Sequence, residues 1–358
     1  MRLHVIKAKF GDSIMLETAH GLVLVDGGPA RVWETSLQPY LAATASERGL
    51  AAVVISHVDR DHIIGVLDLF AENERRVAAG ERAAFPVGDL WHNAFERTID
   101  PTGTIVAALQ QVAAKSMTYG VTAAETNHAI QSVADGEKLR RDAVRAKTPI
   151  NAAFGNALLC PDLLVQTTAH VAGMGFTVIG PTMANLEALR KEWLAWARKA
   201  KTLKAQDFAN SDTSVRNKSS IVLLVEHAGK RALLTGDARG DHIEQGLDQA
   251  GLRVAGRVHV DVLKVQHHGS AHNAERGFFD RVTADTYVIS ADGKDDNPDY
   301  ETLTWIVETA HVAGRNIEIV VTHDTPSVKR LRKTYSQQDF GYALRLPEAG
   351  AHAAIVTL

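Results

Sequence analysis

The stretch SHVDRDHIIG, residues 56–65, decides how this chain is read. His57, Asp59, Asp61 and His62 place two imidazoles and two carboxylates within six positions, directly behind the apolar run AAVVI. That run has the length and composition of a strand, and IIGVLDLFAENERRVAA after it has helical spacing. The four side chains are therefore expected on the loop at the strand's C-terminal end, where ligands gather without disturbing a sheet. Imidazole and carboxylate together suit Zn²⁺, Mn²⁺ or Fe²⁺, and the large carboxylate share tilts the set towards a harder ion. An isolated His-x-Asp is more often a surface turn than a ligand, and with 16 histidines some clustering is ordinary. The weight comes from company. Asp237 in LLTGD and the pair His267–His268 in KVQHHGS close two later strand-like runs, which is what ligands converging on one sheet edge would produce.

Outward from that turn, LHVIKA, SIMLET and LVLVDGG form short apolar runs bounded by Gly, Asp and Ser, the pattern of a meander. FPVGDLWHNAF is strand-like again. From residue 218 the pattern resumes with SSIVLLVEH, RALLTGD, VDVLKVQHHGS, DTYVISADG, IEIVVTHD, YALRL and AAIVTL. Residues 101–211 differ: they are Ala-rich, charged and predicted mostly helical. The clearest helix there is 185–204, with Leu186, Leu189, Trp193 and either Trp196 or Ala197 on one face. Two β-rich halves with helices predict an α/β sandwich of two sheets covered by helices. The expected organisation is a single domain, 1–358, with a helical insertion at 101–211.

Bulk properties narrow the class further. With 45% apolar and 23% charged residues over 358 positions, disorder is not the default. The net charge of -3 argues neither for nor against nucleic acid, since a basic patch can sit inside a neutral total. Cys160 is the single cysteine, so no intrachain disulfide and no Cys-based metal site can form; a buried, inert thiol is expected. MRLHVIKAKFGDS does not have the build of a signal peptide, and runs such as IVLLV are far below the roughly 20 residues that span a bilayer. A soluble, cytoplasmic protein with no membrane partner is expected.

SHVDRDHIIG resembles the His-x-His-x-Asp-His signature of the metallo-β-lactamase superfamily, in the variant with Asp for the second His. With LLTGDA, KVQHHGS, FGDSIMLE and LVLVDGG, it is similar to the hydrolase domain of ComEC-type competence proteins and their stand-alone relatives. The likeness covers roughly residues 1–95 and 212–310. It implies an αββα sandwich and two divalent metal ions, Zn or Mn. His57 and Asp59 would hold one ion, Asp61 and His62 the other, and Asp237 would bridge them. One of His267 and His268 would be the last ligand, the other orienting it or meeting substrate. Asp61, Asp237 and His268 would bear most directly on catalysis. Two departures stand out. Asn217 falls near the place of a family histidine that serves the first ion, so that site would be weak, vacant or completed by a substrate oxygen. Asn297 precedes a proline where the family tends to have histidine, which puts full activity in doubt.

Softer candidates for a substrate pocket are His92 and Asn93 in LWHNAF, Ser270 in HHGS and His323 in VVTHD, besides Asn217 and Asn297. Core or surface packing accounts equally well for His92 and Asn93. Arg190, Lys191 and Arg198, among other basic residues of the inserted region, ordinarily mark a solvated helix face. Folded over the ions, they would draw in phosphate. The expected function is a metal-dependent hydrolase of phosphodiesters, with nucleic acid the first candidate substrate. The alternatives are a hydrolase of a small phosphoester, thioester or lactam, and a weakened relative serving as a binding or assembly partner.

Overall fold

The computed structural model describes residues 1–45, 48–118, 124–200 and 219–358. The chain opens with β1 (Arg2–Ile6), β2 (Ile14–Thr18) and β3 (Gly21–Val25), then α1 (Gln38–Thr44), β4 (Ala52–Val54), α2 (Arg60–Ala78), β5 (Leu90–Trp91) and α3 (Phe95–Thr98). Next come α4 (Thr104–Thr118), α5 (Ala124–Arg145), β6 (Thr168–Val171), β7 (Met174–Gly180) and α6 (Met183–Ala200). The second half runs through β8 (Val222–His227), β9 (Lys230–Leu234), α7 (Gly240–Gln249), β10 (Val258–Lys264), α8 (Arg276–Arg281) and β11 (Val282–Ile289). It ends with α9 (Tyr300–Val312), β12 (Ile317–Val321), α10 (Pro326–Thr334), α11 (Gln337–Phe340), β13 (Tyr342–Arg345) and β14 (Ala353–Thr357).

These strands make two sheets, one ordered β14-β1-β2-β3-β4-β5 and the other β13-β12-β11-β10-β9-β8-β7-β6. Period-2 alternation sorts their side chains into layers. Leu3, Val5, Leu16, Val23, Val54 and Trp91 of the first sheet face Phe176, Val178, Leu223, Val225, Val262 and Val288 of the second, forming the core between them. Ile6, Leu24 and Val53 point the other way, onto Leu41 of α1 and Ile63, Val66 and Phe70 of α2. On the far side Leu224, Leu263, Tyr287 and Ile319 meet Ile243 of α7, Phe278 of α8, Ile306 of α9 and Leu331 of α10. Helix, sheet, sheet, helix is the αββα layering expected from the sequence.

The stretch 101–211, expected mostly helical, carries the long helices α4, α5 and α6 and a hairpin besides. It holds β6 and β7, and β7 pairs antiparallel with β8, so this hairpin extends the eight-stranded sheet. Its Thr, Gly and Val residues are overshadowed in the sequence by the Ala-rich helices on both sides. Helices α4 and α6 pack together over a smaller cluster in which Ile105 and Leu109 meet Leu186, Leu189 and Trp193. Residues 201–204, the end of the expected helix, lie outside the described residues. Cys160 is free and buried, and burial pushes its thiol up to about 12, as an inert thiol requires. No described helix is long and apolar enough to cross a membrane.

Candidate metal centre

β4 ends at Val54, and the chain turns through Ser56–Val58 into α2. Asp59 is the N-cap, yet its side chain makes no capping hydrogen bond, and its Oδ1 has no partner among the described residues. Asp61 and His62 lie in the first turn of α2, not on a loop. The apolar spacing that marks the helix starts only at Ile63, because a first turn whose N–H groups have no intrahelical partner needs no apolar face. Carboxylates at this end also sit in the favourable field of the helix dipole. Two glycines set how deeply the turn enters. A Cβ on Gly65 would lie 2.0 Å from the Gly27 carbonyl oxygen, so α2 and the turn after β3 touch backbone to backbone. There the Gly27 N–H donates to the His62 carbonyl at 2.7 Å.

Asp237 follows β9, and its N–H donates to Ser220 Oγ at 3.2 Å. His267 and His268 follow β10 in a tight turn, both left-handed at φ 47° and 56°. The chain thus delivers ligand-type groups from β4 of one sheet and from β9 and β10 of the other to one edge.

Asp237 Oδ2 is their common point. It lies 3.4 Å from His62 Nε2, 3.6 Å from His268 Nε2, 3.7 Å from His267 Nε2 and 3.8 Å from His57 Nε2. Asp61 Oδ2 stands 3.3 Å from His268 Nε2 and 3.9 Å from His62 Nε2, and Asp59 Oδ2 is 3.7 Å from His57 Nε2. The donor atoms of Asp61, His62, Asp237 and His268 all fall within 4.8 Å of one another.

Nε2 of His57, His62 and His268 and Oδ1 of Asp59 and Asp237 are buried without a hydrogen-bond partner among the described residues. Buried polar atoms are rarely left so, because each loses its water for nothing. Their closeness suggests the reason: imidazole nitrogens and carboxylate oxygens gathered within 4.8 Å at Asp61, His62, Asp237 and His268, with His57 Nε2 3.8 Å from Asp237, are a donor set that suits a divalent cation. The outer sides of the rings are tied. His268 Nδ1 donates to the Ser290 carbonyl at 3.0 Å, which fixes the proton there and turns the Nε2 lone pair inward. His62 Nδ1 is 2.9 Å from Asp26 Oδ2, and the same carboxylate accepts from Ser56 N at 2.8 Å and Ser56 Oγ at 2.7 Å. His57 Nδ1 meets Ser56 Oγ at 3.1 Å. His267 Nδ1 meets Asn273 Oδ1 at 2.6 Å, while Asn273 Nδ2 donates to the Asp237 carbonyl at 3.0 Å.

The charges follow. Burial opposes ionisation of Asp237, but His268, His62 and His267 around it hold its carboxyl well below the usual range; Asp61 is lowered against burial by His62 and His268. Burial likewise opposes a charge on His268, yet Asp237, Asp12 and Asp61 raise it to about 10. His62 is raised too, against its burial, by Asp237 and Asp26, whereas burial and the neighbouring His62 lower His57. The cluster is a trap for positive charge, filled by protons or by cations in competition.

His57, Asp59, Asp61, His62, Asp237 and His268 therefore come together, with His267 on the solvent side at 29% side-chain exposure against 4% for His268. The softer residues fare differently. His92, after β5, is buried beside Gly136 of α5; no hydrogen-bond partner of its ring lies among the described residues, and burial and Arg140 push it down to about 4. The Asn93 amide is taken up by the backbone of Leu159, through Nδ2 to the carbonyl at 2.9 Å and Oδ1 from the N–H at 2.8 Å, so it serves packing. Ser270 is buried and shapes the turn: its N–H donates to the His267 carbonyl at 2.8 Å and its Oγ accepts from His272 N at 3.4 Å. Asn297 has a buried Oδ1 with no hydrogen-bond partner among the described residues, and the Pro298 after it packs against Gly269. His323 lies two residues past the end of β12, which is two strands from β10, and bonds the Ala291 carbonyl at 3.1 Å. Asn217 lies outside the described residues.

Sequence reasoning assigned no role to Asp12, Asp26, Asn273 or Lys264, all of which support the cluster. A signal existed for three of them: FGDS and LVLVDGG end apolar runs in a carboxylate, and VDVLKV interrupts one with lysine.

The two covered sheets and the His/Asp cluster at their edge define a metallo-β-lactamase-type αββα sandwich. No family model matches the chain. ComE operon protein 3 of Bacillus subtilis (strain 168) is 36% identical over 80 residues, which is 22% of this chain and 10% of that protein. The matched stretch thus spans a tenth of the relative's length. Among solved structures, the metallo-beta-lactamase fold protein YhfI from Bacillus subtilis is similar at a TM-score of 0.45 and 12% identity, covering 99% of this chain and 98% of that one. Human tRNase Z, short form, is similar at a TM-score of 0.39 and 10% identity, covering 100% and 99%.

Proposed function

We propose that this chain is a divalent-metal-dependent hydrolase of phosphodiesters, with nucleic acid its first candidate substrate. One observation carries the metal dependence: donor atoms of His57, Asp59, His62, Asp237 and His268, buried and without a hydrogen-bond partner among the described residues, gather at one edge behind strands of both sheets. In this reading His57 and Asp59 would hold one ion and Asp61, His62 and His268 the other, with Asp237 Oδ2 near the imidazoles of both sets. Bound ions supply Lewis acidity towards a phosphoryl oxygen and a water-derived nucleophile at neutral pH. The protein's part is positional. Asp26 and Ser290 fix the His62 and His268 rings, and Asp237 offsets the repulsion between two nearby cations. His267, held by Asn273 and partly exposed, would meet the substrate in this reading.

The preference for a phosphodiester has two supports, the ComEC-type motifs and the position of α6. Leu189 and Trp193 of that helix line a small cavity with Val58, the residue between His57 and Asp59. The helix therefore stands beside the ligand loop, with Lys191 and Arg198 exposed and Arg190 partly so. Cations there would hold a polyanion across the edge. Metal analysis joined to a screen of DNA, RNA and small model phosphodiesters under added Mn²⁺ or Zn²⁺ tests the reading. Two bound ions and turnover that falls steeply with salt are expected. Turnover of small substrates alone, insensitive to salt, would move the assignment to a small phosphoester, thioester or lactam.

A further inference from the structure

Lys264, the last residue of β10, is buried to 1% exposure. Taking an ammonium out of water is expensive, and a methionine would fill the same space. Its contacts show what the charge is for. The ammonium pairs with the Asp12 carboxylate, and at 3.3 Å it donates to the carbonyl of Gly236, the residue before Asp237. Asp12 in turn places Oδ1 3.4 Å from His268 Nδ1 and Oδ2 4.0 Å from His62 Nδ1. Lysine and aspartate thus stand one layer behind three ligands at once. Asp12 is also tied to a fourth, since its N–H donates to the Asp61 carbonyl at 3.3 Å.

The charges close around this pair. Asp59, Asp61 and Asp237 face the cluster, while Asp12 and Asp26 form with His62 a second group within 4.8 Å behind it. Two divalent ions leave one of these five carboxylates unbalanced. Lys264 supplies the remaining positive charge from inside the fold, where it cannot exchange. We propose that Lys264, acting through Asp12, is a positioning residue of the metal centre: it holds the Asp12 carboxylate behind His268 and His62 and completes the charge of a site built for two ions. The inference rests on the metal-dependent reading above.

The experiment measures Mn²⁺ and Zn²⁺ stoichiometry and affinity by calorimetry, with the absorption spectrum of the Co²⁺-loaded protein as a second readout. The proteins are the wild type, Lys264→Met, Asp12→Asn and the double variant. The double variant removes both charges together and leaves no buried ion unpaired, so it keeps the test open if Lys264→Met fails to fold. Loss of such an outer partner typically costs about 10- to 100-fold in metal affinity. Each folded variant is expected to lose that much for at least one ion and to shift the Co²⁺ bands, and the double variant to lose no more than the worse single one. A wild type that binds two ions, with a folded double variant of unchanged affinity and spectrum, would overturn the role of Lys264. A wild type that binds none would instead overturn the metal reading itself.

Discussion

Asp26→Asn isolates the work of one carboxylate. Asparagine keeps the size of the side chain and tolerates the left-handed backbone there, φ 59°, so the fold is expected to survive. The hydrogen bonds decide the rest. Asp26 Oδ1 accepts from Ser56 N, and Oδ2 accepts from Ser56 Oγ and faces His62 Nδ1 at 2.9 Å. If the amide oxygen stays on Ser56 N, the NH₂ group replaces Oδ2 and presents a donor to His62. The ring must then accept at Nδ1 and carry its proton on Nε2, the atom 3.4 Å from Asp237 Oδ2. That proton occupies the lone pair needed by a cation. If the amide turns round instead, a charged hydrogen bond worth about 1.5–3 kcal/mol becomes a neutral one worth about 0.5–1.5. The midpoints differ by about 1.25 kcal/mol, or nearly tenfold in affinity. Metal affinity is therefore expected to fall about 10- to 100-fold. Titration calorimetry with Mn²⁺ or Zn²⁺ measures the loss, and nitrogen-15 shifts of the imidazoles report which nitrogen of His62 is protonated. Affinity within threefold of wild type, with an unmoved tautomer, would refute the reasoning.

Asp237→Ala, which removes the carboxylate nearest four imidazoles, is expected to abolish hydrolysis and lower metal content; two retained ions and near-normal turnover would count against its bridging place. Gly65→Ala forces a methyl against the Gly27 carbonyl, and a loss of about 1–3 kcal/mol in urea unfolding is expected, together with weaker metal binding because His62 shifts with α2. In chelator-treated protein, His268 near 10 in the fold against an ordinary 6.5 contributes stability that is complete below about pH 6.5 and lost as pH rises towards 10. The urea midpoint of the metal-free protein should therefore fall between pH 6.5 and 10, and a flat profile would contradict the ring's charged state. Charge reversal at Arg190, Lys191 and Arg198 should weaken a polyanionic substrate, with a salt slope shallower by about one for each phosphate no longer neutralised, and leave a small model phosphodiester almost untouched. Equal responses from both substrates would make α6 a solvated cover.

What the sequence disclosed and what it hid have a common cause. His57, Asp59, Asp61, His62, Asp237 and the His267–His268 pair were legible because each stands where an apolar run stops, and a run's end is a local pattern. The supports were not. Asp12 meets Lys264 across some 250 positions, and β1 takes β14 as its neighbour from the far end of the chain; no window of sequence contains such pairs. The β6–β7 hairpin was hidden by its Ala-rich surroundings, and for Asn93, where a pocket wall and packing stood equal, only the fold shows that the backbone of Leu159 takes up its amide. Local patterns gave the candidate ligands, and topology gave the hydrogen-bond partners and charges that stand behind them.

An ion held by Asp61, His62, Asp237 and His268 would take two ligands from the first turn of α2, which follows β4 of one sheet, and two from the turns after β9 and β10 of the other, hence two from each side of the sandwich. Such an ion is a bolt through the sandwich at one edge. Prising the sheets apart there breaks coordination bonds, while elsewhere the layers part only by exposing apolar side chains. Chelation should therefore loosen the protein unevenly. Amide hydrogens near the ends of β4, β9 and β10 are expected to exchange faster together, in both sheets at once, and those of β6 and β13 to keep their rates.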